Sequence, residues 1–267
     1  MGKFTKIMLE KENEIIFLGT GTSQGVPPIG CTHPVCLSDD PRDKRLRASV
    51  MIKYHGKTIL IDCGPDFRQQ MLREDMDYVD AILVTHEHND HIIGLDDMRA
   101  VYFKSHKVPV IYSIPRVLND IKVRFPYAFT KFKYPGVPTF DLQEIEPNKP
   151  FFVEGIEVLS LHVLHGGLPI LGFRIGGLAY ITDVKIIPPE TLKLLEGLDI
   201  LVIDALRQKK THHSHLLLDE AIQYGKQIGA KQTYFTHISH NLGFYKEVEK
   251  TLPEGMHLAY DQLRLKF

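Results

Sequence analysis

The chain has 267 residues, a length that a single α/β or sandwich domain can use, and its 43% hydrophobic and 24% charged residues exclude a disordered or collagen-like chain. Its 32 Lys+Arg against 33 Asp+Glu leave a net charge of −1, so no broad field draws it to nucleic acid or to an anionic membrane. Fourteen His beside three Cys and no Trp is the outlying count, because imidazole is the commonest metal ligand and a near-neutral acid and base.

In chain order, residues 1–14 carry mixed charges without an apolar core of signal-peptide length, and no run approaches the roughly 18 apolar residues of a membrane span. A soluble cytoplasmic protein without membrane partners is expected. Short runs rich in Val, Ile, Leu, Tyr and Thr predict strands near Glu14–Leu18, Ser49–Tyr54, Lys57–Asp62, Ala81–Thr85 and Val108–Tyr112. Further strands are predicted near Glu157–His162, Gly172–Ile175, Ala179–Thr182, Ile200–Asp204 and Thr233–Thr236, with a closing pair around Leu258 and Leu265. Helices are predicted near Phe67–Glu74, Leu95–Lys104, Pro115–Phe125, Pro188–Glu196, Leu217–Gly229 and Leu242–Leu252. Tyr54-His55-Gly56-Lys57 reads as a hairpin turn. With no repeat or linker between them, these elements read as one domain over 1–267. Residues 116–150 form an aromatic, locally basic excursion, a lid or, in the favoured reading, a surface segment packed by its own aromatics. Gly19-Thr20-Gly21-Thr22-Ser23-Gln24-Gly25, after the first strand, is equally a phosphate cradle or a tight turn.

The strongest chemical signal is Thr85-His86-Glu87-His88-Asn89-Asp90-His91, directly after an apolar strand. A loop there can splay His86 and His88 toward one cation while Asp90 and His91 face a second, with N and O donors that suit Zn, Mn or Fe. One loop cannot close either shell. Cys31, His33 and Cys36 sit close enough in sequence to suit metal better than a disulfide framework, and structural zinc would need a fourth donor, which His240 could supply. Thr211-His212-His213-Ser214-His215 adds imidazoles that could protonate a leaving alkoxide.

The H-x-H-x-D-H run resembles the signature of the metallo-β-lactamase superfamily. That resemblance implies an αββα sandwich, two mixed β-sheets flanked by helices with the metals at one edge. It also implies a division of ligands. One cation would take His86, His88 and His165, the other Asp90, His91 and His237, with Asp183 bridging. Asp62 would orient a ligand without binding metal. The Gly-Thr-Gly, Gln-Gly-Val-Pro and Gly-Cys segments, together with Thr236-His237-Ile238-Ser239-His240, narrow the resemblance to the phosphoribosyl 1,2-cyclic phosphate phosphodiesterase (PhnP) family. In that family three cysteines and the second His of this ending hold a structural zinc. Here His33 stands at the middle cysteine position, so the implied set is Cys31, His33, Cys36 and His240. A single His lying 22 residues before the ending's first His is the family's catalytic candidate, which points to His215, with His213 as the fallback.

Two divalent cations, Zn or Mn, can ready a water at neutral pH and clamp attacking and leaving oxygens. The resulting expectation is a phosphodiesterase acting on a small cyclic phosphate such as phosphoribosyl 1,2-cyclic phosphate, with His215, Asp90 and Asp183 at the reaction centre and one structural Zn nearby. Two alternatives share the fold: a tRNA 3′-processing endonuclease, which neutral charge makes an unfavoured reading, and a non-catalytic partner in cofactor biosynthesis. Relatives suggest a homodimer.

Overall fold

The computed structural model describes residues 13–131 and 136–267. Two seven-stranded sheets lie at its centre. The first contains β1 (Glu14–Gly19), β2 (Ser49–Tyr54), β3 (Lys57–Ile61), β4 (Ala81–Leu83), β5 (Val110–Ser113) and β6 (Asp141–Glu144) as successive neighbours. The second contains β7 (Pro150–Val153), β8 (Ile156–His165), β9 (Leu168–Ile175), β10 (Leu178–Ile181), β11 (Ile200–Asp204), β12 (Gln232–Thr236) and β13 (Met256–Leu258). The final strand, β14 (Arg264–Lys266), returns to the first sheet and pairs with β1. The two closing strands therefore do not pair with each other: β13 lies parallel to β12 in the opposite sheet.

Most central strands are buried on both faces, which explains their nearly continuous apolar sequences. Ile15 and Phe17 of β1 point between the sheets with Phe173, Tyr180 and Val202, while Ile16 and Leu18 point outward. That outer layer is covered by α1 (Phe67–Arg73), the short α2 (Asn89–Ile92), α3 (Met98–Ser105) and α4 (Pro115–Arg124), through Phe67, Met71, Ile92, Met98, Val101, Val117, Leu118 and Ile121. Across the second sheet, Leu201 and Ile203 share a core layer with Leu192 of the short α5 (Pro189–Lys193), Leu218 and Ala221 of α6 (Leu218–Ile228) and Tyr245 and Val248 of α7 (Tyr245–Glu249). The result is the αββα sandwich. Each fully buried Leu, Ile or Phe contributes about 1.5–3 kcal/mol relative to exposure, so the three apolar layers fix how the sheets face each other.

Two connections show how sequence sets local geometry. His55 and Gly56 both take positive φ, 47° and 78°, as the two-residue turn between β2 and β3 requires. Within the 116–150 excursion, Phe125, Ala128 and Phe140 are buried in the same layer as α4, so its described part packs on its own apolar side chains. Phe132, Lys133 and Tyr134 lie outside the described residues. Among the described residues, no helix is long and apolar enough to cross a membrane.

Candidate metal centre

β3 and β4 are parallel, as are β10, β11 and β12, so within each sheet their carboxyl ends open at one edge. Because β9 is antiparallel to both β8 and β10, the end of β8 reaches the edge of β10 as well. Asp62, Asp183 and His237 each follow a strand there or end one, and take φ of 63°, 55° and 57°. Left-handed backbone is uncommon for residues bearing a Cβ and gathers at functional sites, where the surroundings hold it. Gly64 permits the His86–His91 run to pack closely, since a Cβ there would lie 2.0 Å from the Asp90 carbonyl oxygen.

His86, His88 and His165 bring donor nitrogens into one cluster. The Nδ1 of His86 lies 2.9 Å from Thr85 Oγ1, whose hydroxyl is donated to Asp62, so the His86 ring donates at Nδ1 and presents a bare Nε2. That Nε2 is only 2.9 Å from Nδ1 of His88. Two imidazole lone pairs at this separation need a proton or a cation between them. His165 donates from Nδ1 to the carbonyl oxygens of Asp183 at 2.7 Å and Ser214 at 3.0 Å, leaving its Nε2 for the cluster. Burial pushes the His86 imidazole well below its ordinary value and lowers His165 too, favouring the neutral form that binds metal.

Asp90, His91, Asp183 and His237 form the second cluster. His91 donates from Nδ1 to Asp62 at 2.7 Å, which aims its Nε2 at Asp90, 3.2 Å away, and at Asp183, 3.3 Å away. His237 Nε2 lies 3.2 Å from the other Asp183 oxygen. Burial works to raise the Asp183 carboxyl, but His237 and His91 outweigh it and hold it well below the usual carboxylate range. Burial likewise opposes charge on His237, yet Asp183 and Asp204 push that imidazole up to about 9. The Nε2 atoms of His91 and His237 are buried without a hydrogen-bond partner. Orphaned nitrogens aimed among carboxylates are the donor set a divalent cation satisfies, so the residues present fit two ions. Asp62 acts from behind, through Thr85 and His91.

His215 stands over both clusters, its ring centroid 4.7 Å from those of His165 and His237. Its Nε2 is 3.9 Å from Asp183 and its Nδ1 lies 3.3 Å from Asp204 Oδ2. His213, by contrast, is exposed and its ring lies against His212. Asp204 is a residue the sequence reading missed. Fully buried at the end of β11, it also sits 3.4 Å from His237 Nδ1 and accepts the Leu216 amide, so one carboxylate faces both imidazoles. Its position at a strand end on the same edge as Asp62 and Asp183 was the available signal.

At the second proposed metal site, Cys31, Cys36 and His240 come together, with His240 Nδ1 at 3.7 and 3.4 Å from the two sulfurs. Burial and the neighbouring Cys31 thiol push Cys36 up to about 11. His33 does not join them as the implied fourth donor. Its Nδ1 accepts the Val35 amide at 3.3 Å and its ring stacks on His240 at 4.6 Å, so it caps the short turn Pro34–Leu37. The site is thus a three-donor set, and Cys63 is fully buried elsewhere.

The model of the β-lactamase superfamily domain matches residues 57–238, which include both active-site donor clusters but not Cys31, Cys36 or His240. The chain belongs to the β-lactamase superfamily. Within this superfamily it belongs to the PhnP family, on its similarity to a crystal structure described as a new diphosphatase of that family: 41% identity, 96% of this chain and 98% of the other covered, TM-score 0.89. It is also 44% identical over 93% of its length to an octanoyltransferase of Porphyromonas gingivalis, covering 50% of that protein. A ribonuclease Z of Methanococcus maripaludis is 26% identical over 60% of this chain and 47% of its own. The chain spans about half the length of these two curated relatives.

Other parts of this superfamily member are structural. In the Gly19–Gly25 loop, the amides of Thr20, Gly21, Thr22 and Gly25 are taken by Asp261 and by the carbonyls of Leu46, Ile238 and Thr22. The loop is a tight turn that braces Ile238, next to His237. Arg207 likewise spends its guanidinium on the Lys210 and Thr211 carbonyls.

Proposed function

We propose that this chain is a dinuclear metal-dependent hydrolase cleaving a phosphorus–oxygen bond in a small phosphodiester, of which phosphoribosyl 1,2-cyclic phosphate is the leading candidate. The supporting observation is that Asp183, a member of the second donor cluster, also groups with His165 of the first, with His215 beside both. When bound, two cations, Zn or Mn, would supply Lewis acidity toward the phosphoryl oxygens and ready a water for attack. The chain's own residues do the rest. Asp62, Thr85 and the Asp183 carbonyl orient the donor imidazoles, and His215, held by Asp204, donates the proton that the departing oxygen takes up. A diphosphate is the second reading, favoured by the diphosphatase among the PhnP-family structures, and it would use the same groups on a phosphoanhydride.

A substrate panel with Mn or Zn tests this reading: ribose cyclic phosphates, bis(p-nitrophenyl) phosphate, cyclic nucleotides, dinucleoside diphosphates, precursor tRNA, and thioesters to cover the octanoyltransferase relative. Turnover of cyclic phosphates above all others is expected. Preferred cleavage of precursor tRNA or thioesters would overturn the proposal, and no hydrolysis by a fully metallated preparation would favour a binding role.

We further propose one structural zinc at Cys31, Cys36 and His240. Metal analysis should show Cys31→Ser losing one ion per chain while the active-site pair stays, and His33→Ala losing none. Loss of that ion from the His33 variant would make the imidazole a ligand after all.

A further inference from the structure

Between His86 and His91, two residues supply no donor to either cluster: Glu87 and Asn89, which alternate with His86, His88 and Asp90. Both are held by the same helix. Arg116, in the first turn of α4, donates from Nη1 to Glu87 Oε1 and from Nη2 to the Pro169 carbonyl at 2.5 Å. Arg124, in the last turn, donates from Nη1 to Asn89 Oδ1 at 2.5 Å and from Nε to Asp120 of its own helix. Between them Val117, Leu118 and Ile121 are buried against the first sheet, so both arginine stems leave a fixed base.

The Pro169 contact gives Arg116 its reach. Pro169 pairs with Leu164 across the β8–β9 hairpin, beside His165. One guanidinium therefore touches the run that carries His86 and His88 and the hairpin that carries His165. These donors come from different sheets. A planar fork can serve two acceptors lying in different directions, which a lysine ammonium at the end of a flexible stem does less well. Without Arg116, the Glu87 carboxylate would lose its partner while flanked by two donor imidazoles, and its other oxygen is already buried with no partner.

We propose that α4 splints the metal centre, with Arg116 as a positioning residue that sets the separation of His86 and His88 from His165, and Arg124 steadying the next turn of the run through Asn89. The proposal rests on the reading that His86, His88 and His165 hold one cation. The Arg116–Glu87 pair is partly exposed, with side-chain accessibilities of 37% and 18%, so it adds little to global stability.

The test is metal competition on the full chain, with Zn²⁺ or Mn²⁺ loaded and then withdrawn by a chelator, for the wild type, Arg116→Gln, Arg116→Lys and Glu87→Gln. Arg116→Gln should weaken retention of one active-site ion about 10–100-fold, the range for partners that orient ligands, with the melting temperature unchanged. Arg116→Lys should recover part of the loss, and on any hydrolysed substrate kcat should fall more than KM rises. Unchanged retention of both ions in Arg116→Gln and Glu87→Gln would overturn the proposal. So would a raised KM with kcat and metal retention intact, which would make Arg116 a substrate-binding group. Because retention is measured without substrate, failure of the phosphodiesterase reading leaves this test standing, whereas a wild type that binds no ion pair overturns both.

Discussion

Replacing Asp183 by alanine should dismantle the dinuclear centre, with a loss of activity exceeding the about 10–100-fold typical of residues that only orient ligands. Its two carboxylate oxygens lie 3.2 Å from His237 Nε2 and 3.3 Å from His91 Nε2, and the same side chain groups with His165 and His215. Among the described residues no other carboxylate of the second cluster also groups with a donor of the first. Its removal would also leave the buried His91 and His237 Nε2 atoms without the carboxylate they face, so stability should fall as well. Backbone conformation complicates the alanine variant, because φ at this position is 55° and alanine tolerates that region poorly. Asp183→Asn separates the effects: asparagine accepts the left-handed backbone and keeps the shape while lacking the charge. Both variants should lose active-site metal, measured by elemental analysis after desalting, while the ion at Cys31 and Cys36 remains. Full retention of the pair in Asp183→Asn would remove Asp183 from the ligand set.

The central strands and the donor edge were legible because their chemistry is concentrated in the sequence. Ile200–Ile203 and Val50–Ile52 are continuous apolar runs, and such runs belong to strands covered on both faces. β6 and β7 escaped notice for the opposite reason. Asp141-Leu142-Gln143-Glu144 is largely exposed and Pro150 opens β7, and both strands lie at sheet edges, where charge and proline guard against unwanted pairing. Leu258 and Leu265 were recognisable as strand residues, but a short apolar run carries no label for its partner, so their separation into two sheets became visible only in three dimensions. The metal residues divide similarly. His86 to His91 form a dense motif, whereas Asp204 is a lone acid at the end of a strand, and its role depends on His215 and His237 arriving from elsewhere. His33 shows the converse limit. Its spacing from Cys31 and Cys36 fixes proximity along the chain, while the direction of its ring follows from the Val35 amide and the His240 face.

His215→Ala should leave both active-site ions in place and lower turnover by about 10²–10⁴-fold, the usual contribution of a positioned general acid. His215 lies outside both four-residue and three-residue donor sets that draw on the metal-binding run, yet its ring is within 4.7 Å of the His165 and His237 rings, one from each set. A group in that position can reach a departing oxygen without spending a donor on a cation. The size of the effect should therefore depend on the leaving group. p-Nitrophenolate departs readily without a proton, so bis(p-nitrophenyl) phosphate should lose least, while an alkoxide such as a ribose oxygen should lose most. Asp204→Asn provides the internal comparison. It would weaken the hold on His215 Nδ1 but also disturb His237, 3.4 Å from its other oxygen. It should thus lower turnover and loosen one metal together, whereas His215→Ala should lower turnover alone. If His215→Ala slowed activated and unactivated esters equally, the imidazole would be stabilising charge on the phosphoryl group in place of delivering a proton. If it lost metal, the grouping of His165, Asp183 and His215 would describe a ligand set.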